Sequence, residues 1–92
     1  MTKIALQILL SGRVQGVGFR YYARQYAGAL GINGYVKNLY DGRVEVVAEG
    51  EKELVDRFIA ALRRGPSFGN VEHVEIKSLP YENSYSTFSV EY

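Results

Sequence analysis

Residues 4–20 read Ile-Ala-Leu-Gln-Ile-Leu-Leu-Ser-Gly-Arg-Val-Gln-Gly-Val-Gly-Phe-Arg, an alternating apolar segment that runs into a glycine-rich turn and a helix start. Ile4, Leu6, Ile8 and Leu10 alternate with Lys3, Ala5, Gln7 and Leu9, the period of a half-buried strand. Beyond the turn, Phe19, Tyr22, Ala23, Tyr26, Ala27 and Leu30 recur at steps of three and four, one apolar stripe of a helix that Gly31 can stop. Gly12, Gly16 and Gly18 allow backbone N–H groups to crowd toward one point, where the helix start adds the positive end of its dipole. Arg20, in the first helical turn, can close over an anion held there. A phosphate or acyl phosphate is the expected guest.

Working outward, Ile32 to Asn38 reads as a second strand, Asp41-Gly42 as a hairpin turn, and Arg43 to Glu49 as a third strand. Leu54, Val55, Phe58, Ile59 and Leu62 mark a second helix, with Glu51 and Glu53 at its start and Arg63 and Arg64 at its end, as the macrodipole favours. Gly65-Pro66 ends it. Val74 and Ile76 suggest a fourth strand, and Phe88, Val90 and Tyr92 a short additional one at the C-terminus. The predicted class is α+β: a ferredoxin-like βαββαβ two-layer sandwich with an antiparallel sheet and both helices on one face. In that arrangement strands 1 and 2 run the same way with strand 3 between them. Their C-terminal ends therefore emerge on one edge, about 10 Å apart, so Asn38 should face the glycine loop.

Ninety-two residues make one domain, 1–92, and 47% hydrophobic against 23% charged residues places it among globular chains. A net charge of +1 provides no global field for nucleic acid, so anion binding must be local. The absence of cysteine removes disulfides, thiolate nucleophiles and thiolate metal sites. No apolar stretch is long enough to span a bilayer, and no secretory leader opens the chain. The expectation is a cytoplasmic monomer without cofactor, metal, nucleic-acid or membrane partner. RNA-recognition domains share the element order but place aromatics on strands 1 and 3; residues 4–10 and 43–49 contain none.

At the expected site the inventory is backbone N–H groups, Arg20, Asn38 and, less firmly, Arg13. The only histidine, His73, lies in the fourth strand, so no nucleophilic triad assembles. Neither a P-loop nor a dinucleotide fingerprint matches. This set suits attack of water on a phosphorus whose leaving group is a carboxylate, which departs as a stable anion and needs no general acid. Arg20 can grip the phosphoryl oxygens in a two-pronged fashion and Asn38 can orient the water. Blander readings exist for each residue. The glycines could form only a tight turn, Asn38 could be turn chemistry before Asp41-Gly42, and Arg24 reads as solvated surface charge. Arg20 resists its bland reading, because a cation at a helix N-terminus opposes the dipole by a few tenths of a kcal/mol.

Gly12-x-Val14-Gln15-Gly16-Val17-x-Phe19-Arg20, followed by Gly34-Tyr-Val-Lys-Asn38-Leu-Tyr-Asp41-Gly42-Arg-Val44-Glu45, resembles the acylphosphatase family over essentially the whole chain. Gly65-Pro66-Ser67 fits the same pattern. The resemblance implies a small ferredoxin-like hydrolase that cleaves carboxyl-phosphate anhydrides without a metal. It implies that Arg20 binds phosphate, that Asn38 positions water, and that Arg13, Val14, Gln15, Gly16, Val17, Gly18 and Phe19 form the phosphate-binding loop. The rival is a non-catalytic ferredoxin-like regulatory module that holds phosphate or carbamoyl phosphate. Such modules occur fused to larger enzymes, and the lack of a linker here favours the free-standing enzyme.

Overall fold

The computed structural model describes residues 2–92. Strand β1 (Lys3–Arg13) leads through the loop to helix α1 (Phe19–Leu30), then β2 (Asn33–Asn38), β3 (Val44–Glu51), α2 (Lys52–Arg64), β4 (Asn70–Leu79) and β5 (Phe88–Glu91). The sheet order is β4-β1-β3-β2-β5. β3 pairs antiparallel with both β1 and β2, so those two strands run the same way with β3 between them, as expected. β5 adds to the outer edge of β2 in parallel register, from Gly34↔Phe88 to Lys37↔Glu91. The remaining pairs are antiparallel.

Strand alternation sorts the two faces. Ile8 and Leu10 of β1, Val44, Val46 and Ala48 of β3, and Val36 of β2 are fully buried beneath the helices. From α1 this core receives Phe19, Ala23 and Ala27, and from α2 Val55, Phe58, Ala61 and Leu62. Tyr26, on the predicted stripe, instead stands at the surface over Arg64. Tyr22 is half-buried and its hydroxyl donates to the Ala61 carbonyl at 2.6 Å, tying α1 to α2. Phe58 meets Phe88 edge-on with centroids 5.6 Å apart, which seats β5 in the core.

The opposite sheet face is covered in part by residues 80–87. The buried Glu49 carboxylate accepts the backbone N–H groups of Ser84 and Tyr85, each at 3.2 Å, and Tyr85 packs edge-on to Tyr35. Glu45 beside them accepts from Gln7 and from the Tyr35 hydroxyl.

β1 is three residues longer than its alternation suggests. A register shift at Ser11/Gly12 lets it keep pairing with β4 through Gly12↔Val71 and Arg13↔Asn70. Gly12 makes this possible, since with φ 117° any Cβ there would run into the Asn70 carbonyl. Gly12 and Arg13 therefore belong to the strand, and the loop proper is residues 14–18.

Candidate active site

The loop is anchored from both sides. Val14 is fully buried and Val17 packs against the same core, while Phe19 beneath the helix start is 2% exposed. The Gln15 side-chain amide donates to the carbonyls of Leu39 at 2.7 Å and Arg43 at 2.9 Å. It thus ties the loop to the β2–β3 turn. Gly16 and Gly18 lie at φ 74° and 78°, a left-handed backbone that costs other L-residues roughly 1–2 kcal/mol. Gly18 is also the N-cap of α1, with no side-chain cap and no acidic residue in the first turn.

Two backbone bonds bracket this segment: Val14 N–H to the Gly12 carbonyl and Tyr22 N–H to the Gly18 carbonyl. Between them, the N–H groups from Gln15 to Tyr21 donate to no other described residue. Free donors at a helix N-terminus are the usual receptor for an oxyanion.

A depression of about 250 Å³ opens at this point, lined by Val14, Gly16, Gly18, Phe19, Arg20, Tyr21, Arg24, Asn38, Val90 and Tyr92. Arg20 and Asn38, eighteen positions apart in the chain, thus share one cavity. Asn38 ends β2 on the helix-facing side, and its Oδ1 is buried without a hydrogen-bond partner. Leaving such an acceptor unpaired costs about 1–3 kcal/mol, so it marks a position kept for something other than stability.

Arg20 meets the C-terminus. Its Nη1 donates to the Glu91 carbonyl at 3.4 Å, and its guanidinium lies 4.6 Å from the centroid of the Tyr92 ring. The ion pairs among the described residues, Arg43–Asp41 and Lys52–Asp56, do not involve it. Its charge therefore faces the cavity without a carboxylate to neutralise it.

Of the loop residues named from the sequence, Val14, Gly16, Gly18 and Phe19 line the depression; Arg13, Gln15 and Val17 do not. Arg13 is exposed on β1, Gln15 braces the loop, and Val17 packs inward. Four lining residues were not assigned to the site from the sequence: Arg24, read there as solvated surface charge, and Tyr21, Val90 and Tyr92. The helical spacing of Arg24 from Arg20 was a usable signal for the first. Tyr92 depends on β5 pairing parallel to β2, which no local pattern specifies. Asp41 serves the turn: its carboxylate accepts the Arg43 N–H at 3.1 Å and pairs with the Arg43 Nε. That backbone hydrogen bond, helped by the Arg43 charge, holds its carboxyl below the usual carboxylate range.

The fold and this cavity define a class: a small ferredoxin-like α+β domain with a cationic, donor-rich depression beside a strand-end amide. The acylphosphatase family profile matches residues 6–90. An acylphosphatase of Archaeoglobus fulgidus is 53% identical over 89 residues, covering 97% of this chain and 99% of that protein. The crystal structure of acylphosphatase from Bacillus subtilis superposes with a TM-score of 0.93 at 36% identity, over 97% of this chain and 99% of that one. Full-length HypF, in its phosphate- and nucleotide-bound form, superposes with a TM-score of 0.89 at 27% identity, over 98% of this chain but 12% of its own. This chain belongs to the acylphosphatase family.

Proposed function

We propose that this chain hydrolyses the carboxyl-phosphate bond of acyl phosphates to a carboxylate and inorganic phosphate, with Arg20 holding the phosphoryl group and Asn38 orienting the attacking water. The observation that carries this reading is the shared cavity: an unneutralised guanidinium on α1 and an unpartnered buried carboxamide oxygen on β2. The free N–H groups around Gly16, Gly18 and Phe19 add donors for the phosphoryl oxygens, and neutral Asn38 avoids the repulsion a carboxylate would exert on a phosphate. Water donates a hydrogen bond to Asn38 Oδ1 and passes its proton to a phosphoryl oxygen. The acyl carboxylate leaves unprotonated. Positioning and electrostatics are sufficient for such a displacement.

The enzyme reading is supported over the module by coverage, since the A. fulgidus acylphosphatase is matched nearly end to end. The described residues include no group of three or more His, Cys, Asp or Glu side chains that could hold a metal ion. Among the described residues no helix is long and apolar enough to cross a membrane. We place the protein in the cytoplasm as a monomer. The edge strand β4 carries Glu72, Glu75 and Lys77, which discourage edge-to-edge pairing.

The test is phosphate release from acetyl phosphate in the presence of a chelator. Arg20→Ala and Asn38→Ala should each lower kcat/KM by about a hundredfold or more. Arg20→Ala should also weaken inhibition by inorganic phosphate, which Asn38→Ala should largely preserve. Phosphate binding without turnover would establish the module instead.

A further inference from the structure

Arg24 lines the same depression as Arg20 and Asn38, yet the reaction described above assigns it no task. We propose that Arg24 recognises a second anionic group on the acyl portion of the substrate, so that the site favours acyl phosphates of dicarboxylic acids over those of uncharged acyl chains. This rests on Arg20 being the phosphate ligand.

Placement is the first argument. Arg20 and Arg24 stand one turn apart on α1, about 6 Å along its axis, with Tyr21 beside them on the wall of the cavity. An acyl phosphate with two methylene groups between its carbonyl and a terminal carboxylate spans a comparable distance. Asn38 belongs to the strand wall and Arg24 to the helix wall, so an acyl chain running along α1 leaves the water its place at Asn38.

Charge is the second argument. Neither arginine takes part in the ion pairs among the described residues, and the first turn of α1 carries no acidic side chain. Two cations at this helical spacing repel each other, and Arg20 also lies in the first turn, at the helix end whose dipole is positive. One phosphoryl group, gripped by Arg20 and the loop N–H groups, answers only the first. A carboxylate on the acyl chain answers the second, through the planar fork of a guanidinium.

The experiment compares kcat/KM for acetyl, butanoyl and succinyl phosphate at low ionic strength. Butanoyl phosphate matches the succinyl chain in length without its charge. The wild-type protein should favour succinyl over butanoyl phosphate by about fivefold, chiefly through KM, with the preference shrinking as salt is added. Arg24→Ala should remove that preference and Arg24→Lys should restore part of it. Arg24→Ala with the succinyl-to-butanoyl ratio unchanged, or with all three substrates reduced alike, would overturn the proposal. Failure of the wild-type protein to hydrolyse acetyl phosphate would instead overturn the Arg20 and Asn38 reading on which it rests.

Discussion

The side-chain amide of Gln15 donates to the Leu39 carbonyl at 2.7 Å and so fastens the loop to the residue that follows Asn38. Helix α1 and strand β2 each supply one half of the site, and this bond sets their separation. Gln15→Leu leaves the Leu39 and Arg43 carbonyls without that donor, so the fold should lose about 1–3 kcal/mol. We expect kcat to fall about tenfold while inhibition by inorganic phosphate changes far less, because the water-positioning half shifts against the phosphate half. Equal losses in both would show that Gln15 serves the loop alone.

Tyr92 is 92% exposed, yet its ring lies beneath the Arg20 guanidinium. Such a contact contributes about 0.5–1 kcal/mol at an exposed position. Tyr92→Ala should therefore raise the inhibition constant of inorganic phosphate by roughly two- to fivefold. Tyr92→Phe should restore it, as the ring face and not the hydroxyl is used. A variant without measurable effect would leave the loop N–H groups as the dominant restraint on the anion.

None of the residues lining the cavity is a histidine, carboxylate or cysteine. No protein group there is available to change charge near neutrality and act as general acid or base. The kcat for acetyl phosphate should be flat from about pH 6 to about pH 8. A bell-shaped profile in that interval would demand a titrating side chain that this site lacks.

Burial, above the contribution of Tyr26, raises the Tyr22 hydroxyl pKa. Burial together with its bond to Glu45 holds that of Tyr35 well above the ordinary tyrosine range. Both folded-state values lie above the unfolded one, so their contribution is intact below about pH 10 and is lost as pH rises beyond it toward the folded values. The urea midpoint should hold up to about pH 9.5 and decline above it, and the Tyr22→Phe, Tyr35→Phe double variant should decline less steeply. Identical slopes would assign the alkaline loss to other groups.

The element order, both helix stripes apart from the exposed Tyr26, the Gly31 stop and the Asp41-Gly42 turn were legible because each depends on neighbours within a few positions. Periodicity reports burial of one face, and local backbone conformation restricts residue choice to glycine or a capping side chain. Arg20 was legible because its cation opposes the helix dipole. Asn38 required both topology and the resemblance to the family motif, since nothing around it in the chain separates a working amide from turn chemistry.

The amino-acid sequence alone determined a βαββαβ sandwich, a glycine loop feeding a helix, and an arginine and an asparagine set to face each other. Tertiary structure decided the rest: that β1 extends past Gly12 and takes Arg13 away from the loop, that Gln15 braces rather than lines the site, and that Arg24 and Tyr92 join its walls. These outcomes turn on pairing partner and direction, chiefly β1 with β4 and β5 parallel to β2. Such choices are made by packing between segments distant in the chain, as when Phe88 finds Phe58, and no local pattern encodes them.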